Sequence, residues 1–305
     1  MEELLNMVKK KEDDTANSAT EGLMQNSEAH MMVVQSNEFV QSTSVGMMAQ
    51  NQLKCLYFLI SCVTQADSLL YPVRLSYKTI CGILGIDYKK GGTKKYLTTM
   101  LLNMHSQSFY TRDEDGKMNV VPCFSYYQID EEAGMATFLL NEYLNSSLLG
   151  LSKNFVQYQL ASLLRLDSAY SIKLYNLLRS YAYRGKATLS ILEIRRNLNL
   201  YNSEEKTNLY ESGNDFIRKV LIPSIQEINV KTDITVKYTA KRARTDARKI
   251  SSIAFDIATK ERVEMSEPIF TYNILLSFAN EQCNGLDVRI VDLVSEDYPQ
   301  SYRMA

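Results

Sequence analysis

The side chains here best suited to chemistry are cations at regular spacing. Arg218 and Lys219 sit in the run Phe216-Ile-Arg-Lys-Val-Leu221, between apolar residues that recur every three or four positions. Lys237, Lys241, Arg242, Arg244, Arg248 and Lys249 follow in a stretch whose single acid is Asp246. Upstream lie Lys89, Lys90, Lys94 and Lys95, with Thr98 and Asn103 at the helical phase of the last two lysines. Such cations neutralise phosphates, and an arginine fork can also pair with both major-groove acceptors of guanine. These fourteen residues are the candidate duplex-DNA contacts: Arg218 and Lys219 for bases, the later six for phosphates, the first-half set as the matching face.

Bond-making chemistry fits poorly. A nickase needs a tyrosine nucleophile and a metal held by paired histidines; this chain has 20 tyrosines but only His30 and His105, far apart. Gly91-Gly-Thr-Lys-Lys95 lacks the G-x-x-x-x-G-K-[S/T] spacing that wraps amides round phosphate, and reads as a turn before a helix. The acids of Asp113-Glu-Asp115 and Glu131-Glu132 fall in turns, and no G-x-S-x-G elbow occurs. We expect no enzyme activity, no metal and no cofactor.

The elements that must position the cations follow from pattern. Phe216, Ile217, Val220, Leu221, Ile225 and Ile228 share one helix face, which leaves Arg218 and Lys219 outside it. Pro223, with no N–H, should bend or interrupt that helix. Asp233–Thr239 and Ile250–Ile257 alternate as strands, so the later cations occupy a hairpin and its tip. Helix followed by basic hairpin is the second half of a winged helix. Upstream, the pattern predicts helices over Gln50–Val63, Ser76–Leu84, Thr93–Gln107, Ser168–Gly185 and Ser190–Leu198. It predicts strands at Met31–Val34, Ser108–Arg112, Asn119–Gln128, Met135–Leu140 and Phe155–Tyr158.

An internal repeat sets the architecture. Leu75-Ser76 and Leu189-Ser190 lie 114 residues apart, and at that offset Ile80 matches Ile194, Leu84 matches Leu198 and Ile86 matches Leu200. Each half then runs long helix, short strand, capped helix, loop, basic-faced helix, hairpin. The expected fold class is α+β, with tandem winged-helix domains related by duplication. We divide the chain into a mobile acidic tail (1–30), a first winged helix (31–150), a second (151–260) and an acidic extension (261–305), with a linker at Asn145–Lys153.

Charge agrees with a polyanion ligand. The net charge is −1 overall, but −4 on residues 1–36 and −5 on 261–305 leave +8 on residues 37–260. Five scattered cysteines without a C-x-x-C pair read as reduced core thiols. Met1-Glu-Glu-Leu-Leu5 is unlike a signal peptide and no apolar run approaches the roughly 20 residues of a membrane span, so we expect a cytoplasmic protein.

Several runs resemble the iteron-binding initiator Rep proteins of bacterial plasmids. They are Val34-Gln-Ser-Asn37, Gln52-Leu-Lys-Cys-Leu-Tyr57, Tyr170-Ser-Ile-Lys-Leu-Tyr-Asn-Leu-Leu178, Leu189-Ser-Ile-Leu-Glu-Ile-Arg195, and Val220-Leu-Ile-Pro-Ser-Ile-Gln-Glu-Ile-Asn229 with Lys231-Thr-Asp233 behind it. Together they cover roughly residues 31–260. The resemblance implies two winged-helix domains that contact each direct repeat of a plasmid origin. It also implies monomers that open the origin and recruit the host replicative helicase and host initiator, and dimers, formed through the first domain, that repress the initiator's own promoter. The rival readings are a transcriptional regulator that binds inverted repeats as a dimer, and a structural partner protein with an incidental basic wing.

Overall fold

The computed structural model describes residues 31–260 apart from 64, 66, 113–114, 116, 203–206, 209, 211 and 244–248, together with the antiparallel strand pair Arg289–Val291 and Ser301–Arg303. The N-terminal tail, His30, Arg244, Arg248, Cys283 and the rest of 261–305 lie outside the described residues.

The first half runs β1 (Met32–Ser36), α1 (Asn37–Ser42), β2 (Ser44–Val45), α2 (Gln50–Ser61), β3 (Val73–Ser76), α3 (Tyr77–Leu84), α4 (Thr93–His105), then β4 (Ser108–Arg112), β5 (Met118–Pro122), β6 (Phe124–Asp130) and β7 (Met135–Leu140). A short α5 (Asn145–Leu148), within the expected linker, leads to β8 (Phe155–Gln159), which returns to pair antiparallel with β1. After α6 (Leu160–Leu164) and α7 (Ala169–Arg179), the second half continues with β9 (Lys186–Ser190), α8 (Ile191–Asn197), the small pair β10 (Tyr201–Asn202) and β11 (Thr207–Asn208), a helix α9 over 213–231, β12 (Ile234–Arg242) and β13 (Ile250–Thr259).

Local chemistry accounts for most boundaries. Ser76 and Ser190 each cap a helix through the side-chain oxygen, accepting from Thr79 N–H at 3.0 Å and Glu193 N–H at 3.1 Å. Glu193 closes a capping box by accepting from Ser190 N–H. Gly85 ends α3 at φ +67°, a left-handed conformation that favours glycine. The predicted strand 119–128 divides into β5 and β6, which join different sheets. Pro122 has no N–H to continue a ladder, and Cys123 N–H instead donates to Gln107 O.

Pro223 neither breaks nor stops α9. The helix is α over Gly213–Phe216, π over Ile217–Leu221 and α again over Ile222–Lys231. Ile222 N–H reaches back five residues to Ile217 O, and this wider turn takes up the missing proline donor.

The repeat is visible in the sheets. One has the order β3-β7-β6 and the other β9-β13-β12, so in each the leading strand pairs with the second arm of the hairpin. Leu75 and Leu189 are buried, Ile80 and Ile194 wholly so, and Leu84 and Leu198 fill equivalent helix ends. One hydrophobic core runs through both halves.

Helix α7 joins the halves by polar contacts. Lys173 is buried, and its Nζ donates to Val45 O and Gly46 O, each at 3.1 Å. Asn176 donates to Tyr57 Oη at 2.9 Å and accepts from Tyr158 Oη–H at 2.8 Å. Burial lowers Lys173 from 10.5 to about 8. Cys55, Cys62, Cys81 and Cys123 are buried thiols outside any disulfide. No helix among the described residues is long and apolar enough to cross a membrane.

Candidate nucleic-acid interface

The second half builds its surface on α9. Phe216, Val220, Leu221, Ile225 and Ile228 are buried, and Arg218 and Lys219, within the π turn, are exposed. Asp215 sits one turn earlier: Arg218 Nη2 donates to it at 2.8 Å, and Lys219 Nζ lies 3.8 Å away. The spacing of three and four residues puts all three on one face. The helix start is held from behind by Arg195, a buried cation that donates to Tyr210 O at 2.6 Å and stands over the Phe216 ring at 5.3 Å.

The hairpin β12–β13 carries the remaining described cations. Burial alternates through Ile234, Thr235 and Val236 and then stops on β12, the edge strand, while β13 beside it stays buried at Phe255 and Ile253 and paired with β9 as far as Ser252, opposite Lys241. Lys237, Lys241, Arg242 and Lys249 are exposed there. Lys237 and Lys241 point to one side, four residues apart in an alternating strand. Lys237 stands opposite Asp256 in the register.

In the first half, Lys89, Lys90, Lys94 and Lys95 are exposed around the start of α4, where the positive end of the helix dipole adds to their potential. Asp87 shapes the turn by accepting from Lys89 N–H at 2.9 Å and, through its carbonyl, from Thr93 Oγ1 at 3.0 Å. Asn103 is exposed two turns further on. Thr98 departs from the expected face: it is buried, with Oγ1 3.0 Å from Tyr77 Oη. It lies three residues before Leu101, at the edge of the buried stripe, and Tyr77 draws its hydroxyl inward.

The two hairpins differ in length and sign. Ser76 pairs with Met135 and Ser190 with Ser252, which makes Asp130, opposite Met135, the counterpart of Lys241, opposite Ser252. At that level the first hairpin turns, through Glu131 and Glu132, while the second continues to its basic tip. The two glutamates line an open groove together with Gly92, Lys94, Lys95, Thr98 and Thr99. Sequence reasoning set these acids aside as solvated turns and passed over Asp215 and Arg195. The spacing of Asp215 to Arg218 and Lys219 was a readable signal; the burial of Arg195 was not. Among the described residues, no group of three or more His, Cys, Asp or Glu could hold a metal ion.

Two copies of a strand–helix–helix–hairpin frame, each with exposed cations on its second helix, define a tandem winged-helix protein. A family model described as initiator replication protein, WH1, matches residues 32–179, and one described as initiator Rep protein, WH2, matches 190–257. The chain belongs to the initiator replication protein family. It is 33% identical over 124 residues to the PI protein of Escherichia coli, a match that covers 38% of this chain and 40% of that protein's length. Its fold is similar to the Pi initiator protein crystallised in complex with iteron DNA, with a TM-score of 0.62, 18% identity, and coverage of 76% of this chain and 98% of that one.

Proposed function

We propose that this chain is a sequence-specific, duplex-DNA-binding initiator of plasmid replication that reads direct repeats at an origin. The observation that carries the reading is the doubled frame, with cations exposed on α4 and α9 and family models for both winged helices matched in order. Arg218 and Lys219 enter a major groove from α9 and the β12–β13 cations rest on phosphates. The α4 lysines contact a neighbouring groove without help from the acidic first hairpin. Two such helices on one face of a duplex call for a site of about two turns, on the order of 20 base pairs.

In this reading the protein acts in the cytoplasm and makes or breaks no bonds itself. It recruits the host replicative helicase and host initiator, and self-associates as a dimer to repress its own promoter. The resemblance of its sequence to plasmid initiators supports these roles. Footprinting on the DNA beside the coding region tests the core of the reading. Protection of tandem direct repeats next to an AT-rich tract is the expected result; protection of a single palindrome, or none, would overturn it.

A further inference from the structure

We infer that Asn229 and Lys260 form a latch that fixes the angle between α9 and the β12–β13 hairpin, so that base-reading and phosphate-gripping surfaces meet the duplex together. Both are positioning residues, and the inference rests on the DNA-binding reading above.

The contacts are specific. β12 is an edge strand of its sheet, and edge positions present N–H and C=O groups that no strand covers. At Val236 the Asn229 side chain covers both: Nδ2 donates to Val236 O at 2.9 Å, and Oδ1 accepts from Val236 N–H at 2.6 Å. The amide thus acts as a one-residue strand, joining the last turn of α9 to the hairpin just before Lys237. Lys260, directly after β13, closes the other side. Its Nζ donates to Asn229 O and Thr232 O, both at 2.7 Å, and its N–H donates to Asp233 O at 2.8 Å. A cation on the last carbonyls of a helix also complements the negative end of its dipole. Each arm of the hairpin is therefore tied to the C-terminal end of α9 by its own side chain.

Leverage explains why the latch matters. From Val236 to Arg242 the edge strand β12 runs about 20 Å at ~3.3 Å per residue, backed by β13, which β9 holds from Ser252 to Asp256. A change of about 10° at the root would carry the tip about 3–4 Å, more than the spread of hydrogen-bond lengths. The buried face of α9 holds the helix on the core and β9 keeps β13 in the sheet, so loss of the latch loosens the edge strand β12 against α9 without releasing either neighbour.

The test uses the full chain and repeat-containing duplexes, with Asn229→Ala and, independently, Lys260→Met. Amide hydrogen exchange reads the latch without DNA. Val236 should exchange at least tenfold faster in Asn229→Ala while the β9–β13 amides keep their protection. Binding across a salt series then reads function. Both variants should lose two to three phosphate contacts, flattening the log–log slope by about 2–3. Preference for the cognate repeat over single-base variants should stay within about twofold of wild type. Asn229→Asp, which retains the acceptor for Val236 N–H, should fall between. An unchanged slope, or loss of slope and base preference in equal proportion, would overturn the latch. Wild-type protein without base preference would instead sink the DNA-binding reading, and unaltered Val236 exchange would sink the latch alone.

Discussion

Lys173 provides the most quantitative expectation. Its amine is buried in α7, and burial lowers it from 10.5 to about 8. Between those values the unfolded chain holds a proton that the folded chain does not, so stability rises with pH. Each pKa unit corresponds to about 1.4 kcal/mol, and a shift of this size contributes about 2 kcal/mol between pH 7 and pH 9.5. The full gain, about 3 kcal/mol, is reached only above pH 10.5. The neutral amine keeps two N–H donors, enough for Val45 O and Gly46 O, so deprotonation need not release the contact. Other groups oppose the trend. Burial pushes the Cys81 thiol up to about 11 and those of Cys55 and Cys123 to about 12, so their unfolded forms ionise first and stability falls above pH 9. Urea unfolding of wild type and Lys173→Met at intervals from pH 7 to 9.5 separates the two. The variant carries the same thiols without the amine, so wild type minus variant should climb by about 2 kcal/mol. A flat difference would show that the amine is not desolvated and refute the reasoning.

Arg218→Ala should relax base preference at one position by about 1–3 kcal/mol, while Arg242→Ala weakens all sequences alike; binding to a panel of single-base variants distinguishes them. Wild-type affinity should fall with salt at a log–log slope near −5 to −9, for roughly 6–10 phosphates contacted, and a flat titration would remove the electrostatic argument. Glu131→Gln with Glu132→Gln should tighten binding to unrelated duplex several-fold at low salt and little at high salt, since both carboxylates share the groove with Lys94 and Lys95. Ser190→Ala should cost about 1 kcal/mol in thermal unfolding by removing the α8 cap.

Elements with a local cause could be read from sequence. Ser76, Gly85 and the Ser190–Glu193 box mark helix ends through side chains within a turn of the boundary, and the α9 stripe reports its buried face. The duplication was legible because Leu75, Ile80 and Leu84 recur as Leu189, Ile194 and Leu198 in equivalent core positions. What escaped depends on partners far along the chain or on register. Thr98 turns inward because Tyr77 waits for its hydroxyl. Pro223 is absorbed by a π turn that helical periodicity does not anticipate. Arg195 reads as a surface cation until the chain folds Phe216 and Tyr210 around it. The contrast between Asp130 and Lys241 emerges only once both hairpins are aligned through β3 and β9.

That alignment makes the two tips exchangeable parts. Both hairpins keep the same register up to one residue pair, Asp130 with Met135 and Lys241 with Ser252. A graft that replaces residues 131–134 with 242–251 would join strands already in step, with no side chain moved to the opposite sheet face. Such a chimera would give the short module the reach of the long one, and the reverse graft would blunt the long one, leaving both cores as they are.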